Sequence, residues 1–279
     1  MVESLGRPLE KTYRPKVMNA DQQPAWLGLF PDQDFEFHFG ARSGDARAFF
    51  ADTLEHTTLM ASRRAALEEG PAQCLFEEPA AAEAVAECLT WAGLDGGGCR
   101  ELALHWESDF LILLPDENGR FTFRAGAVCF PSSWRPEEKK GLPVHAIHSP
   151  VPTLNETLGA RIDKFLAKLE PGRAWERSNW GLSRSPELNQ HPSRDTPRLT
   201  PPFTDDEAWI RIEDQVLYRL PQTRALLFGI RLVNVSLAEL KKFPEAQAGL
   251  HRAIATMPKE VADYKNVTEA REHLLVLLG

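Results

Sequence analysis

From Asp109 to Leu114 the sequence reads Asp-Phe-Leu-Ile-Leu-Leu. The run is short, carries no helical period and reads as a strand. Pro115-Asp116-Glu117-Asn118-Gly119 supplies turn chemistry, and Phe121–Phe130 returns as a second extended segment, so the pair reads as a β-hairpin. Three more strand candidates follow: Ala174–Leu182, Ala208–Leu217 and Arg224–Val233. Between the first two of these, Ser183–Pro202 holds five prolines and reads as a loop. Leu154–Leu169 is an amphipathic helix ended by Pro171-Gly172, preceded by a proline-rich stretch, Gly141–Pro152.

The middle of the chain therefore runs β-β-α-α-β-β-β, an α+β order with a five-stranded antiparallel sheet. It is also the order of a PAS-like domain, which grips a ligand between its sheet and its central helices. Helical segments flank this core. Asp45–Glu69 carries Phe49, Phe50, Leu54, Leu59 and Leu67 at roughly helical spacing and is stopped by Gly70-Pro71. Pro79–Trp91 is alanine-rich and followed by Gly93. Pro244–Leu278 is helical with an interruption near Pro258, and the first 30 or so residues read as irregular. The expected organisation is one domain over 1–279, with a PAS-like core at about 100–235 and flanking helices at 45–93 and 244–278.

Composition excludes several classes. With 279 residues and 43% apolar content the chain can bury a sizeable core. Thirty-two basic against 40 acidic residues leave a net charge of −8, which argues against nucleic acid as a partner. No run approaches the roughly 18 apolar residues of a membrane span, and the opening residues, MVESLGRPLEKTYRPK, lack the apolar core of a secretory signal. The four cysteines, Cys74, Cys88, Cys99 and Cys129, form no C-x-x-C pair. Zinc-ribbon, thioredoxin-like and iron–sulfur readings find no support, and a reducing, cytoplasmic setting is expected. Any redox centre is then held by histidine or belongs to a partner.

Three stretches carry chemistry. In Val144-His145-Ala146-Ile147-His148-Ser149-Pro150-Val151-Pro152, two histidines stand beside a rigid Pro-x-Pro segment. Proline fixes its own φ and restricts its predecessor, so a neighbouring imidazole can be aimed at low entropic cost. A neutral imidazole is a common haem-iron ligand; the alternative is that both histidines simply make loop hydrogen bonds. In Trp175-Glu176-Arg177-Ser178-Asn179-Trp180, Arg177 and Asn179 share a strand face with Trp175 and could polarise a small oxygen-containing ligand, or serve a half-exposed strand. In Trp209–Pro221, Ile210, Ile212 and Val216 fall on one face and Arg211, Glu213 and Gln215 on the other. That polar face is either solvated or a pocket lining in which Glu213 pairs with a cationic amine.

Taken in order, Val128-Cys129-Phe130-Pro131-Ser132-Ser133-Trp134, Glu138-Lys139-Lys140-Gly141, Ile147-His148-Ser149-Pro150-Val151-Pro152, Arg177-Ser178-Asn179-Trp180, Glu213–Pro221 and Leu227-Phe228-Gly229-Ile230-Arg231 resemble one family, over roughly residues 25 to 240. It is the haem-dependent oxidative N-demethylase alpha-subunit family, of the dimethylamine-oxidising type. The resemblance implies a PAS-like fold binding haem b. It also implies monooxygenase chemistry on a small methylated amine with O2, in which the carbinolamine collapses to formaldehyde and a smaller amine. Electrons would come from NADPH through partner subunits carrying FMN, a 2Fe-2S cluster and tetrahydrofolate. It implies His148 as axial iron ligand, with His145 and His191 as rivals, and Arg177 as the group that polarises dioxygen. Arg219 and Arg231 would pair with haem propionates, Asn179 and Trp180 would line the cofactor site, and Glu213 or Gln215 would orient the amine. The alternative is a PAS-type haem gas sensor or binding module without turnover. The sequence departs from the family pattern at Asp214, Gly229 and Leu232-Val233, and matches its acidic stretch only approximately at Glu107-Ser108-Asp109. Gly229 and Leu232 are expected to border the pocket, which points to a larger or different amine.

Overall fold

The computed structural model describes residues 24–37, 39–152 and 159–279. Its strands are β1 (Arg42–Gly44), β2 (Leu75–Glu77), β3 (Asp109–Pro115), β4 (Phe121–Ala127), β5 (Ala174–Ser183), β6 (Trp209–Arg219) and β7 (Leu226–Ser236). Its α-helices are α1 (Ala46–Phe50), α2 (His56–Glu69), α3 (Pro71–Cys74), α4 (Ala82–Ala92), α5 (Cys99–Ala103), α6 (Val144–Ile147), α7 (Ala160–Lys168), α8 (Leu237–Leu240), α9 (Pro244–Thr256), α10 (Lys259–Tyr264) and α11 (Arg271–Leu278). The architecture is α+β, as the sequence indicates.

Among the described residues the strands form one antiparallel, seven-stranded sheet in the order β1-β5-β6-β7-β3-β4-β2. This corrects the expected five. The five anticipated strands lie side by side within it, and β1 and β2 add the two edges. Each edge strand has three residues, too few to display an alternation. The β3–β4 hairpin closes as the turn chemistry dictates: the Asp116 carboxylate accepts from the backbone of Asn118 (2.9 Å) and Arg120 (2.8 Å), and Gly119 adopts φ 74°.

Period-2 alternation sorts the core onto two faces. One face carries Phe110, Ile112, Val216 and Leu227, packed on Phe49, Phe50, Leu89, Leu102 and Trp106 of the N-terminal helical region. Further along the same face, Ile210, Ile212, Val233 and Val235 meet Leu237, Leu250, Ile254 and Leu274 of α8, α9 and α11. The opposite face carries Leu111, Leu113, Leu217 and Leu226 against Ile162 and Leu166 of α7. Strand β3 thus contributes to both faces, which is why its sequence is apolar without interruption.

The helix expected over Asp45–Glu69 is two helices. Asp45 caps α1 by accepting from Arg47 and Ala48 N–H groups, while the Thr53 N–H donates to Glu107 Oε1 (2.6 Å) instead of continuing the helix. Leu54, at the break, is fully exposed rather than in the core. Part of the helix expected over Leu154–Leu169, residues 154–158, lies outside the described residues, as do the first 23 residues of the segment read as irregular. The tail breaks at Pro258, which precedes α10. No helix among the described residues is long and apolar enough to cross a membrane.

Candidate functional site

On the α7 side of the sheet, register places Arg177 opposite Gln215, Asn179 opposite Glu213, and Trp175 opposite Leu217. Across the next ladder, Glu213 faces Leu232, Gln215 faces Ile230 and Leu217 faces Phe228. Residues directly opposed in an antiparallel pair project to the same face. Arg177, Asn179, Glu213, Gln215, Ile230 and Leu232 therefore form one patch. Strand β7 is interior to the sheet, yet Phe228 and Ile230 on this face are only half-buried, as are Trp134, Ile147 and Trp175 packed beside them. Apolar side chains at the centre of a sheet and half covered leave an apolar face, the groove, open to a ligand.

The polar wall of the groove is ordered by a relay. The Arg211 Nε donates to Ser132 Oγ (2.8 Å), and Ser132 Oγ donates to Glu213 Oε1 (2.6 Å). Gln215 Nε2 donates to the other oxygen, Glu213 Oε2 (3.1 Å). The rest of the buried Arg211 guanidinium is spent on the carbonyls of Glu187 (3.0 Å), Leu188 (2.5 Å) and Phe130 (2.9 Å), so it pins both loops that flank the groove. Burial pulls its pKa down to about 10, against the pull of Glu213 and Asp109. The Phe130–Trp134 motif is shaped for this contact: Ser133 stands at φ 61°, and Ser133 N–H donates to Gln190 O (3.1 Å) while Gln190 N–H donates to Pro131 O (3.1 Å).

Glu213 is the carboxylate common to the site. Burial lowers the Arg177 pKa, and Glu213 offsets part of that cost. Lys265, following α10, is driven down to about 8 by burial, opposed by Glu213 and assisted by Arg177. Its Nζ donates to the Trp180 carbonyl (2.7 Å). Tyr264 is raised by burial and by the same carboxylate. Neither Lys265 nor Tyr264 was visible as a site residue in the sequence. They arrive from a helix some fifty residues downstream, and no local pattern links them to β6.

His148 follows α6, its N–H donating to Val144 O (3.0 Å) and its carbonyl accepting from Val151 N–H (2.9 Å). Its Nδ1 is buried and has no hydrogen-bond partner among the described residues. Burial first, then the charge of Arg177, lower its pKa, with Asp163 of α7 opposing. The ring is held neutral, the form that can ligate a metal. The rivals differ. His145 is exposed. His191 is buried with both ring nitrogens engaged: Nδ1 accepts from Ser193 N–H (3.1 Å), which leaves Nε2 to donate to Glu137 Oε1 (3.0 Å). Arg219 lies on the groove side, its guanidinium 4.7 Å over the Phe121 ring, and its Nε and Nη1 are buried with no acceptor among the described residues.

Other expected residues are not brought together here. Arg231 is on the opposite face, where it stacks on Phe49 and donates to the carbonyls of Phe49 and Ala51. Gly229, expected at the pocket border, also faces away: a Cβ there would meet Phe50 at 2.7 Å, Phe49 at 2.8 Å and Val216 at 2.9 Å. Its role is close packing of α1 on the sheet. The Trp180 ring turns to Phe30 (5.6 Å) and Phe35 (6.4 Å) rather than into the groove. Asn179 shares the Glu213 face but is exposed at the unpaired stretch of β5.

A comparison with protein families matches residues 99–275, more than half of the chain, to the family described as haem-dependent oxidative N-demethylase, alpha subunit-like. The match spans strands β3 to β7, the His148 loop and the Lys265 segment. The chain belongs to that family.

Proposed function

From that membership we infer that the groove binds haem b, in a PAS-like arrangement of sheet and covering helices, and that the protein oxidatively demethylates a small N-methylated amine. The observation that carries this reading is the half-buried His148 imidazole, its pKa lowered by burial and Arg177 and its buried Nδ1 without a hydrogen-bond partner among the described residues, beside a half-covered apolar sheet face. Those residues fit the group: an apolar floor for a flat macrocycle, an imidazole for its iron, and unpaired Arg219 donors for a carboxylate. Haem bound there supplies the iron at which dioxygen is reduced and an N-methyl group oxidised, with electrons from an NADPH-linked reductase subunit carrying FMN and a 2Fe-2S cluster.

This chain's own residues do the rest. Glu213, with both oxygens already hydrogen-bonded, keeps lone pairs for the ammonium of the substrate and holds that nitrogen in place. Gln215 fixes the carboxylate's rotamer. Arg177 directs positive charge into the groove, where charge accumulates on oxygen. In the net reaction one oxygen atom leaves in formaldehyde and the other as water, with two electrons and two protons consumed.

The experiment uses the full haem-loaded chain with a supplied reductant, dioxygen and dimethylamine or a larger N-methylated amine. Formaldehyde release that depends on the amine is expected, with kcat/KM falling roughly 10- to 100-fold in Glu213→Gln. An intact haem spectrum with no formaldehyde from any methylated amine would contradict turnover and leave a binding module.

A further inference from the structure

We propose that Asp52, His56 and Glu107, on the N-terminal side of the fold and outside the groove, form a divalent metal site best suited to Zn2+. His56 Nδ1 lies 3.1 Å from Asp52 Oδ1 and 3.0 Å from Glu107 Oε1, and one ligand atom from each residue falls within 4.8 Å of the others. Donor separations near 3 Å match the edge of a coordination polyhedron whose metal–ligand bonds are about 2.0–2.2 Å. The separate observation that points to a ligand is Glu107 itself. Its side chain is 2% exposed and directed at His56, yet Oε2 is buried with no donor among the described residues.

A buried carboxylate oxygen without a partner is costly. A protonated His56 bridging the two carboxylates would leave that oxygen unpaired. A dication reached by both oxygens of Glu107 would satisfy it and balance the two negative charges. One imidazole with two carboxylates suits Zn2+ or Mn2+ over Ca2+ or Mg2+, and Zn2+ leads Mn2+ in affinity. Asp52 and His56 lie toward solvent, leaving coordination positions for water. The site joins the loop between α1 and α2 to the start of β3, two residues before Asp109.

The test is calorimetric titration of Zn2+ into the chelator-treated full chain. One site is expected. It should persist in His148→Ala, vanish in Glu107→Gln, and weaken about tenfold or more in Asp52→Asn or His56→Gln, whose partly exposed positions leave folding intact. No zinc uptake, uptake unchanged in both Asp52→Asn and His56→Gln, or uptake abolished by His148→Ala would each overturn the proposal.

Discussion

At the scale of single residues the site turns on protonation. His148 titrates below its ordinary value because it is buried and because Arg177 repels its charged form. Above pH about 6.5 both folded and unfolded chains hold it neutral. As pH falls below that value the unfolded chain takes up a proton that the folded chain refuses, so stability declines until the folded pKa is passed. Urea unfolding at pH 7.5 and 5.5 should therefore show a smaller acid loss in His148→Asn than in the native chain; an equal loss would place the titration elsewhere. The stiff Pro150–Pro152 segment made both His145 and His148 candidates in the sequence, and the family resemblance chose between them. Glu213 and Gln215 were legible through alternation along β6. The parity of β7 was not: alternation separates Gly229 and Arg231 from Ile230 and Leu232, but only the register with β6 decides which pair meets Glu213. Arg211 was placed on the right face without a role, since its acceptors are carbonyls of two distant loops.

At the scale of elements, α2 is fastened to the sheet by an ion pair. Arg63, fully buried, donates to Asp109 Oδ1 (2.9 Å) and to the Glu107 carbonyl (2.6 Å), and it stacks 4.8 Å over the Phe130 ring. Asp109 also accepts from the N–H groups of Cys129 (2.8 Å) and Phe130 (2.9 Å), which fixes the loop leading to Ser132 and hence to Glu213. Removing one partner of such a pair strands a buried charge and costs roughly 3–5 kcal/mol. Asp109→Asn is expected to lose that much in urea denaturation and to loosen the groove wall, while Asp109→Asn combined with Arg63→Met should recover part of the loss. A loss below 1 kcal/mol would show that the pair does not carry the junction. The approximate Glu107-Ser108-Asp109 match thus lies where the fold is anchored. Strand identity was readable in β3 from its short unbroken apolar run and in β6 from its alternation, whereas β1, β2 and the break between α1 and α2 depend on tertiary hydrogen bonds.

At the scale of the whole molecule, the C-terminal helices cap the sheet face opposite the groove and hold the segment that carries Lys265 to β5. Leu250, Ile254 and Leu274 cover Ile210, Ile212, Val233 and Val235, and the segment they hold delivers Lys265 to Trp180 and the neighbourhood of Glu213. Leu250→Ala should cost about 2–5 kcal/mol by thermal or urea unfolding, and because α9 and α11 pack on the same core, it should shift amine binding as well as stability. The account rests on His148 serving as the iron ligand of a haem held against β5, β6 and β7. Its most direct measurement is the absorption spectrum of the full chain titrated with haemin. The native chain is predicted to give a saturating Soret band at one haem per chain, with His148→Ala losing it or shifting it to a different ligation and His145→Ala and Arg231→Gln leaving it unchanged. A native chain that takes up no haem, or a Soret band identical in His148→Ala, would contradict the account.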